Sequence, residues 1–142
     1  MKVMLYFLKS LTVCSCMLLS LNSFADVSVI VNLNNGSTVN AGELAKIYLG
    51  KQKKFSDGAS VLAVNLKEGV GVRDDFDSTI VGKSSSQLKS YWSKLVFTGK
   101  GTPPKEVSSD AEMIQLISSN PNLIGYVDSA SVTDTVRVVH TF

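Results

Sequence analysis

The feature that most constrains the fold is the alternation of strand-like and helix-like segments between Asp26 and Phe142. Valines alternate with other residues from Asp26 to Leu33, as in a strand, and Ala59–Leu66 is apolar on both faces, as in the interior strand of a covered sheet. Two further strand candidates, NLIGYV and DTVRVVHTF, lie near the end of the chain. Because helical segments separate the strands, the sequence predicts an α/β domain with helices on both faces of a central sheet.

Capping residues mark three of the helices. A helix start is predicted at each of three pairs of capping residues: Asn40 with Glu43, Ser84 with Gln87, and Ser109 with Glu112. The second helix carries Leu88, Tyr91, Trp92, Leu95 and Val96 at helical spacing, so we expect Trp92 to lie in the core. A shorter helix from about Val72 to Val81 would place Val72, Phe76 and Ile80 on one face, and FTGKGTPPKEV is expected to be a loop.

The first 25 residues have the pattern of a secretory signal peptide. Lys2 and Lys9 flank an apolar run that ends in Ser23-Phe24-Ala25, a small-x-small cleavage site. We therefore expect cleavage after Ala25, a single domain over residues 26–142, and a periplasmic location. No second apolar stretch of spanning length follows, so no membrane span is expected in the mature chain.

Removal of this segment changes what the composition implies. Two of the 14 Lys and Arg side chains lie in it, which leaves 12 against 12 Asp and Glu, a net charge of zero. A neutral domain gives no reason to expect nucleic-acid binding. Both cysteines, Cys14 and Cys16, also lie in the signal, so the exported domain has no disulfide, thiol nucleophile or Cys-ligated metal.

The sequence gives little support for a catalytic site. His140 is the only histidine, lies near the C-terminus, and is interpreted as an ordinary strand residue. No nucleophile and base can be paired, and neither metal-ligand spacing nor a nucleotide-binding loop occurs. We therefore expect no enzyme activity, no metal and no cofactor.

The stretch KEGVGVRDDF, Lys67 to Phe76, is the first candidate site. A Gly-x-Gly turn that opens into a helix presents backbone N–H groups in the way that anions are often bound. Asp74, Asp75 and Asp77 are interpreted as acids favoured by the helix N-terminus rather than as a metal site, and Arg73 with Asp77 is expected to be a surface pair. Arg73 is expected to point away from the turn.

A second lysine-bearing segment leaves two interpretations open. In FTGKGTPPK, Lys100 lies between two glycines, so the backbone could approach an oxyanion closely, or the segment could be a solvated connector. The lysines of KQKKFSDG are most simply a solvated face.

Two longer stretches resemble the phosphate-binding proteins of ABC importers, which are type 2 periplasmic binding proteins. They are GELAKIYLGKQKKFSDG and YWSKLVFTGKGTPPKEVSSDAEMIQLISSNPNLIGYV, and the resemblance runs from about Val39 to Val138. It implies a single lobe of the type 2 periplasmic-binding-protein fold, with a central mixed sheet. In that family a Ser-Gly-Thr turn, the following helix N-terminus and a preceding Arg grip phosphate. The corresponding turn here is Val70-Gly71-Val72, and Leu66 occupies the place of the Arg.

Two functions follow from this resemblance. The first is a solute-binding module for phosphate or another small oxyanion, alone, as a homodimer or with an envelope protein; its candidate contacts are Thr38, Gly71, Val72, Arg73 and Lys100. The second is an adaptor or structural interaction protein of the cell envelope that has lost its ligand.

Overall fold

A computed structural model describes residues 26–142, so the predicted signal peptide and its cleavage site lie outside the described residues. The strands are β1 (Val27–Asn32), β2 (Leu62–Leu66), β3 (Lys105–Val107), β4 (Leu123–Asp128) and β5 (Val136–Thr141). The helices are α1 (Ala41–Tyr48), α2 (Gly71–Phe76), which continues as a π-helical turn over Asp77–Val81, α3 (Ser85–Phe97) and α4 (Asp110–Ser119), with a short 3-10 turn at Ser129–Ser131.

The five strands form one mixed sheet in the order β3-β2-β4-β1-β5. Strand β2 is parallel to β3 and β4, whereas β1 is antiparallel to both of its neighbours, β4 and β5. Four strands therefore run in one direction and β1 alone runs in the other. The mixed α/β sheet expected from the sequence is confirmed.

Helices cover both faces of this sheet, and two adjacent residues of β4 show it. Gly125 faces α4, where an added Cβ would meet Met113 and Ile117. Tyr126 points to the opposite face and stacks on Phe76, with ring centroids 3.9 Å apart and an angle of 2° between the rings. Because neighbouring strand residues point to opposite faces, α4 lies on one side of the sheet and the helix bearing Phe76 on the other.

The predicted helix starts are confirmed. Asn40 and Ser84 each form a capping box with the residue three positions later, and the Ser109 side chain accepts a hydrogen bond from the Glu112 N–H. These bonds satisfy backbone donors that the helix itself leaves without partners. Helix α4 ends at Ser119, just before Asn120-Pro121, as its sequence indicates.

Two sequence-based expectations about packing are wrong. Trp92 is only half-buried, and Leu88 is the one buried residue of α3. The reason is that β3, part of the expected loop, forms the edge of the sheet with only three residues, so little sheet surface lies beneath α3.

The buried face of α2 also differs from the expected stripe. Arg73, Phe76, Asp77 and Val81 are buried, whereas Val72 and Ile80 are half-buried. The π-helical turn rotates the following residues relative to a regular α-helix, so a spacing of four no longer follows one face.

Candidate functional site

The Gly71 turn lies where open α/β sheets bind ligands. Strands β2, β3, β4 and β5 have their carboxyl ends on the same side of the sheet, and α2 begins there, at Gly71, five residues after the last residue of β2. Ligands of such sheets bind outside the carboxyl ends of the strands. The structure therefore places Gly71, Val72 and Arg73 at the carboxyl ends of the strands, where a ligand of such a sheet would bind.

The turn itself offers backbone donors and no side-chain hydroxyl. Val70 caps α2 without a side-chain hydrogen bond, and within residues 26–142 the N–H groups of Gly71 and Val72 have no hydrogen-bond acceptor. Gly69 has a φ of +88°, a conformation that favours glycine and turns the chain into the helix. The backbone therefore has two free donors at this edge.

Arg73 is the main departure from the sequence-based interpretation. The pair that it forms with Asp77 is buried, with side-chain exposures of 6% and 3%, and is not the surface pair that was expected. Its Nε donates to Asp77 Oδ2 at 2.7 Å, and its Nη1 donates to the Leu66 carbonyl at 2.6 Å and to Glu106 Oε1 at 3.2 Å. The guanidinium is thus bound by the helix, by the end of β2 and by β3, and these partners compensate the burial of its charge.

Burial and pairing act in opposite directions on this pair. Burial raises the pKa of Asp77 above its ordinary value of 3.8, while the hydrogen bond and charge of Arg73 act to lower it. Burial alone would lower the pKa of Arg73, but the hydrogen bond and charge of Asp77 outweigh it and raise that pKa. The guanidinium is therefore held in its charged form by groups of its own chain.

Carboxylates surround this edge. Glu68 and Glu106 line a cleft of about 490 Å³ beside Arg73, together with Asn65 and Trp92. Asp74 and Asp75 are exposed in the first turns of α2, next to the free N–H groups. Because like charges repel, a bound anion would be opposed by these carboxylates.

Thr38 and Lys100 lie away from this turn. Thr38 is exposed one residue after Ser37, whose carbonyl accepts a hydrogen bond from Arg137 near the start of β5. Lys100 lies in the loop that precedes β3. Both therefore lie near the amino ends of the parallel strands, and the structure groups the five candidate residues as Gly71, Val72 and Arg73 at one end of the sheet, with Thr38 and Lys100 at the other.

A larger cleft, which the sequence did not indicate, lies beneath α3. Its volume is about 1400 Å³, and it extends from the end of α1 to the loop that carries Lys100. Four of the five α3 residues that were assigned to the core line this cleft, and the fifth, Leu88, is buried. The apolar periodicity therefore identified the face of α3 that points towards the domain, but it could not show that a cleft lies between part of this face and the sheet.

The sequence-based interpretations of His140, of metal binding and of membrane-spanning segments can be compared with the described residues. His140 lies in β5, half-buried, with its ring 6.2 Å from that of Phe142. Among residues 26–142, no group of three His, Cys, Asp or Glu side chains is placed to hold a metal ion. In the same part of the chain, no helix is long and apolar enough to cross a bilayer.

Comparison with solved structures identifies proteins of similar fold. An ABC-type phosphate transport receptor from Vibrio cholerae superposes with a TM-score of 0.64 at 19% identity, over 82% of this chain and 46% of that chain. A Clostridium perfringens protein, described as a phosphate ABC transporter substrate-binding protein with bound phosphate, gives 0.64 at 24% identity, over 81% and 45%. PstS from Borrelia burgdorferi gives 0.59 at 17% identity, over 81% and 47%.

The sequence comparisons add no relative. No protein-family model and no curated protein matches the chain. The chain spans less than half the length of each of the three solved proteins. The resemblance expected from the sequence is thus confirmed at the level of the fold: residues 26–142 form a single lobe of the kind found in phosphate ABC transporter substrate-binding proteins.

Proposed function

We propose that this chain is an exported, non-enzymatic binding module of the periplasm whose Gly71 turn is a weak site for phosphate or another small oxyanion. The fold shared with phosphate receptors and the two free N–H groups of Gly71 and Val72 support binding at this edge. Helix N-termini favour anions through such donors.

The state of Arg73 carries the proposal that the site is weak. Its Nε and Nη1 are engaged by Asp77, the Leu66 carbonyl and Glu106, so the cation at this edge is already neutralised. A hydrogen bond to a charged partner contributes about 1.5 to 3 kcal/mol, and the turn lacks the two hydroxyls that would supply two of them. We therefore expect dissociation constants no lower than the millimolar range.

Calorimetric titration of residues 26–142 with phosphate, sulfate and acetate tests this proposal. Asp74→Asn should tighten phosphate binding, because it removes a negative charge beside the turn, whereas Asp134→Asn, at an exposed position near the start of β5, should leave it unchanged. A micromolar dissociation constant for phosphate would show that the turn is a strong site.

Lys100 gives the titration a second use. Because it lies at the other end of the sheet, Lys100→Ala should not affect an ion bound at Gly71. If Lys100→Ala weakens phosphate binding while Asp74→Asn has no effect, the ion binds at the Lys100 loop and the Gly71 site is excluded.

A second candidate function is that of an envelope adaptor that binds another protein. The cleft beneath α3 favours it, because two large apolar side chains that line the cleft, Leu62 and Val96, are exposed. Affinity capture with a tagged chain from periplasmic extract tests this function. A homogeneous monomer that retains no partner would count against it.

A further inference from the structure

The cleft beneath α3, here called the α3 groove, is open and apolar. Helix α3 contributes Tyr91, Trp92, Leu95 and Val96 to its wall. The opposite side is formed by Leu62 and Ala63 of β2, Leu116 of α4 and Leu123 of β4. An apolar stripe on a helix normally packs against the core, but here it faces an open space of about 1400 Å³.

Helix α3 is held in place at a few contacts, which leave the groove open. The Tyr91 hydroxyl donates to the Leu49 carbonyl at 2.6 Å. Trp92 packs against the backbone at Gly50 and Gly101, where an added Cβ would come within 3.1 and 3.3 Å of the indole ring. Glycine at these two positions lets the chain approach the ring closely. The helix therefore contacts the rest of the domain through the buried Leu88, Tyr91 and Trp92, and its residues line two clefts.

Exposed apolar side chains collect around this helix. Leu62 and Val96 in the α3 groove are 61% and 54% exposed, and Phe97, at the end of α3, is 93% exposed. Exposed apolar surface marks interaction sites when several such side chains lie together, as Leu62 and Val96 do in the lining of this groove. The apolar surface of the groove is thus available to a binding partner.

The charges at the rim of the groove are all of one sign. Lys51, Lys53, Lys100 and Lys105 line it, and none of its lining residues is an Asp or Glu. None of these four lysines forms a salt bridge within residues 26–142. The cleft beside the Gly71 turn differs, because both Arg73 and Lys89, which line it, have carboxylate partners.

Size and charge together define the occupant. Pockets for small molecules usually enclose about 300 to 1000 Å³, and this groove is larger and open. An amphipathic helix binds such grooves by placing its apolar face on the floor while its polar face meets the rim. A rim of lysines favours carboxylates on that polar face.

We propose that the α3 groove is a docking site for an acidic amphipathic helix of a partner protein. The apolar residues of that helix lie against Leu62, Trp92 and Leu95, and its Asp and Glu side chains lie beside the four lysines. This proposal does not rest on the oxyanion site at Gly71, which lies at the other end of the sheet.

Trp92 is the only tryptophan of the chain and lines both the α3 groove and the cleft beside Arg73, so its fluorescence detects binding and the variants described below assign that binding to the groove. The probe is a synthetic peptide of about four helical turns, with Leu at i, i+3, i+4 and i+7 and Glu at the surrounding positions. The control peptide carries Lys at every Glu position. We expect the acidic peptide to change the Trp92 emission saturably and to bind residues 26–142 at least about tenfold more tightly than the basic peptide.

Matched variants separate the groove from nonspecific charge effects. Lys51→Glu/Lys53→Glu/Lys100→Glu should weaken binding of the acidic peptide by at least about tenfold. Lys46→Glu/Lys67→Glu/Lys83→Glu makes the same change in net charge outside the groove and should have less than a twofold effect at moderate salt, by the screening of exposed charges. Leu62→Glu alters an exposed position on the apolar side and should also weaken binding, with circular dichroism as the check on folding.

Several results would overturn the proposal. One is equal affinity for the two peptides, or no saturable change with either. Another is a stronger response to sodium dodecanoate than to the acidic peptide, which would indicate a site for an anionic amphiphile. A third is concentration-dependent self-association that buries Trp92 in the absence of peptide, which would indicate a second copy of this chain as the occupant.

Discussion

Replacing Arg73 by Met tests whether its pair with Asp77 is buried, as the structure shows, or a surface pair, as the sequence suggested. The variant leaves the Asp77 carboxylate without its cation at a side-chain exposure of 3%. Breaking a buried pair in this way costs about 3 to 5 kcal/mol, whereas losing an exposed pair costs about 0 to 1 kcal/mol.

Protonation of Asp77 sets a ceiling on this loss. Neutralising a carboxyl of ordinary pKa 3.8 at pH 7 costs about 4 kcal/mol, since each pH unit costs about 1.4 kcal/mol. Glu106 adds little, because its side chain is 45% exposed and can turn to water. The Leu66 carbonyl loses a donor, which adds about 1 kcal/mol. We therefore expect a loss of about 3 to 5 kcal/mol at pH 7.

The loss should depend on pH with a defined sign. Without Arg73, the pKa of Asp77 in the folded state rises further above its value in the unfolded chain, because burial is no longer opposed. The folded state then binds a proton more tightly than the unfolded state, so the deficit of the variant shrinks as the pH falls from 7 towards 4. Urea denaturation followed by circular dichroism across this range measures it.

Two further variants control the interpretation. Arg73→Met/Asp77→Leu removes both charges and should recover most of the stability, because a buried pair can often be replaced by apolar residues without loss. Lys89→Met removes the 3.9 Å pair with Glu68, whose side chains are 73% and 47% exposed, and should cost less than about 1 kcal/mol. If Arg73→Met costs as little as Lys89→Met, or if its deficit does not change with pH, the buried-pair interpretation is refuted.

Two other predictions concern the core. Gly125→Ala should destabilise the domain by about 1 to 3 kcal/mol, because the added Cβ would meet the Met113 and Ile117 side chains. Gly36→Ala, where nothing lies within 4 Å of the added Cβ, should change the free energy of unfolding far less. Equal effects of the two variants in denaturant titrations would contradict this prediction. Burial raises the pKa of Tyr48 and Tyr126 above 10.0, so these rings stabilise the fold below pH 10 and that stability is lost as the pH rises further. In an alkaline titration, tyrosinate absorbance from both should appear together with unfolding, and their ionisation in the folded state would contradict the prediction.

Local signals in the sequence predicted the elements that depend on local chemistry. The capping pairs at Asn40 and Ser84 located α1 and α3, because a cap involves residues only three positions apart. Strand β3 was missed since Lys105–Val107 follows two prolines and has no alternation of its own; its pairing with β2 makes it a strand. Short segments of this kind owe their structure to contacts that are distant in sequence.

In the candidate site, too, the features that depend on neighbouring residues were predicted and those that depend on distant residues were not. The Gly71 turn was found from its glycines and the following helix start, because both are local signals. The burial of Arg73 could not be found in this way, since its partners at Leu66 and Glu106 lie on two different strands. A spacing of four residues shows that Arg73 and Asp77 can meet, but does not show which side of the helix faces the core.

The position of β1 also determines when the domain can fold. This first strand lies between β4 and β5, so Ser28 pairs in register with Thr141, a residue 113 positions later in the chain. Such distant pairings slow folding, to milliseconds or seconds in proteins rich in them, because the long loop must close before its contacts form. A chain that emerges N-terminus first from a ribosome or a membrane channel therefore cannot complete its sheet until β5 is available, and β1 has neither of its partner strands until β4 has emerged.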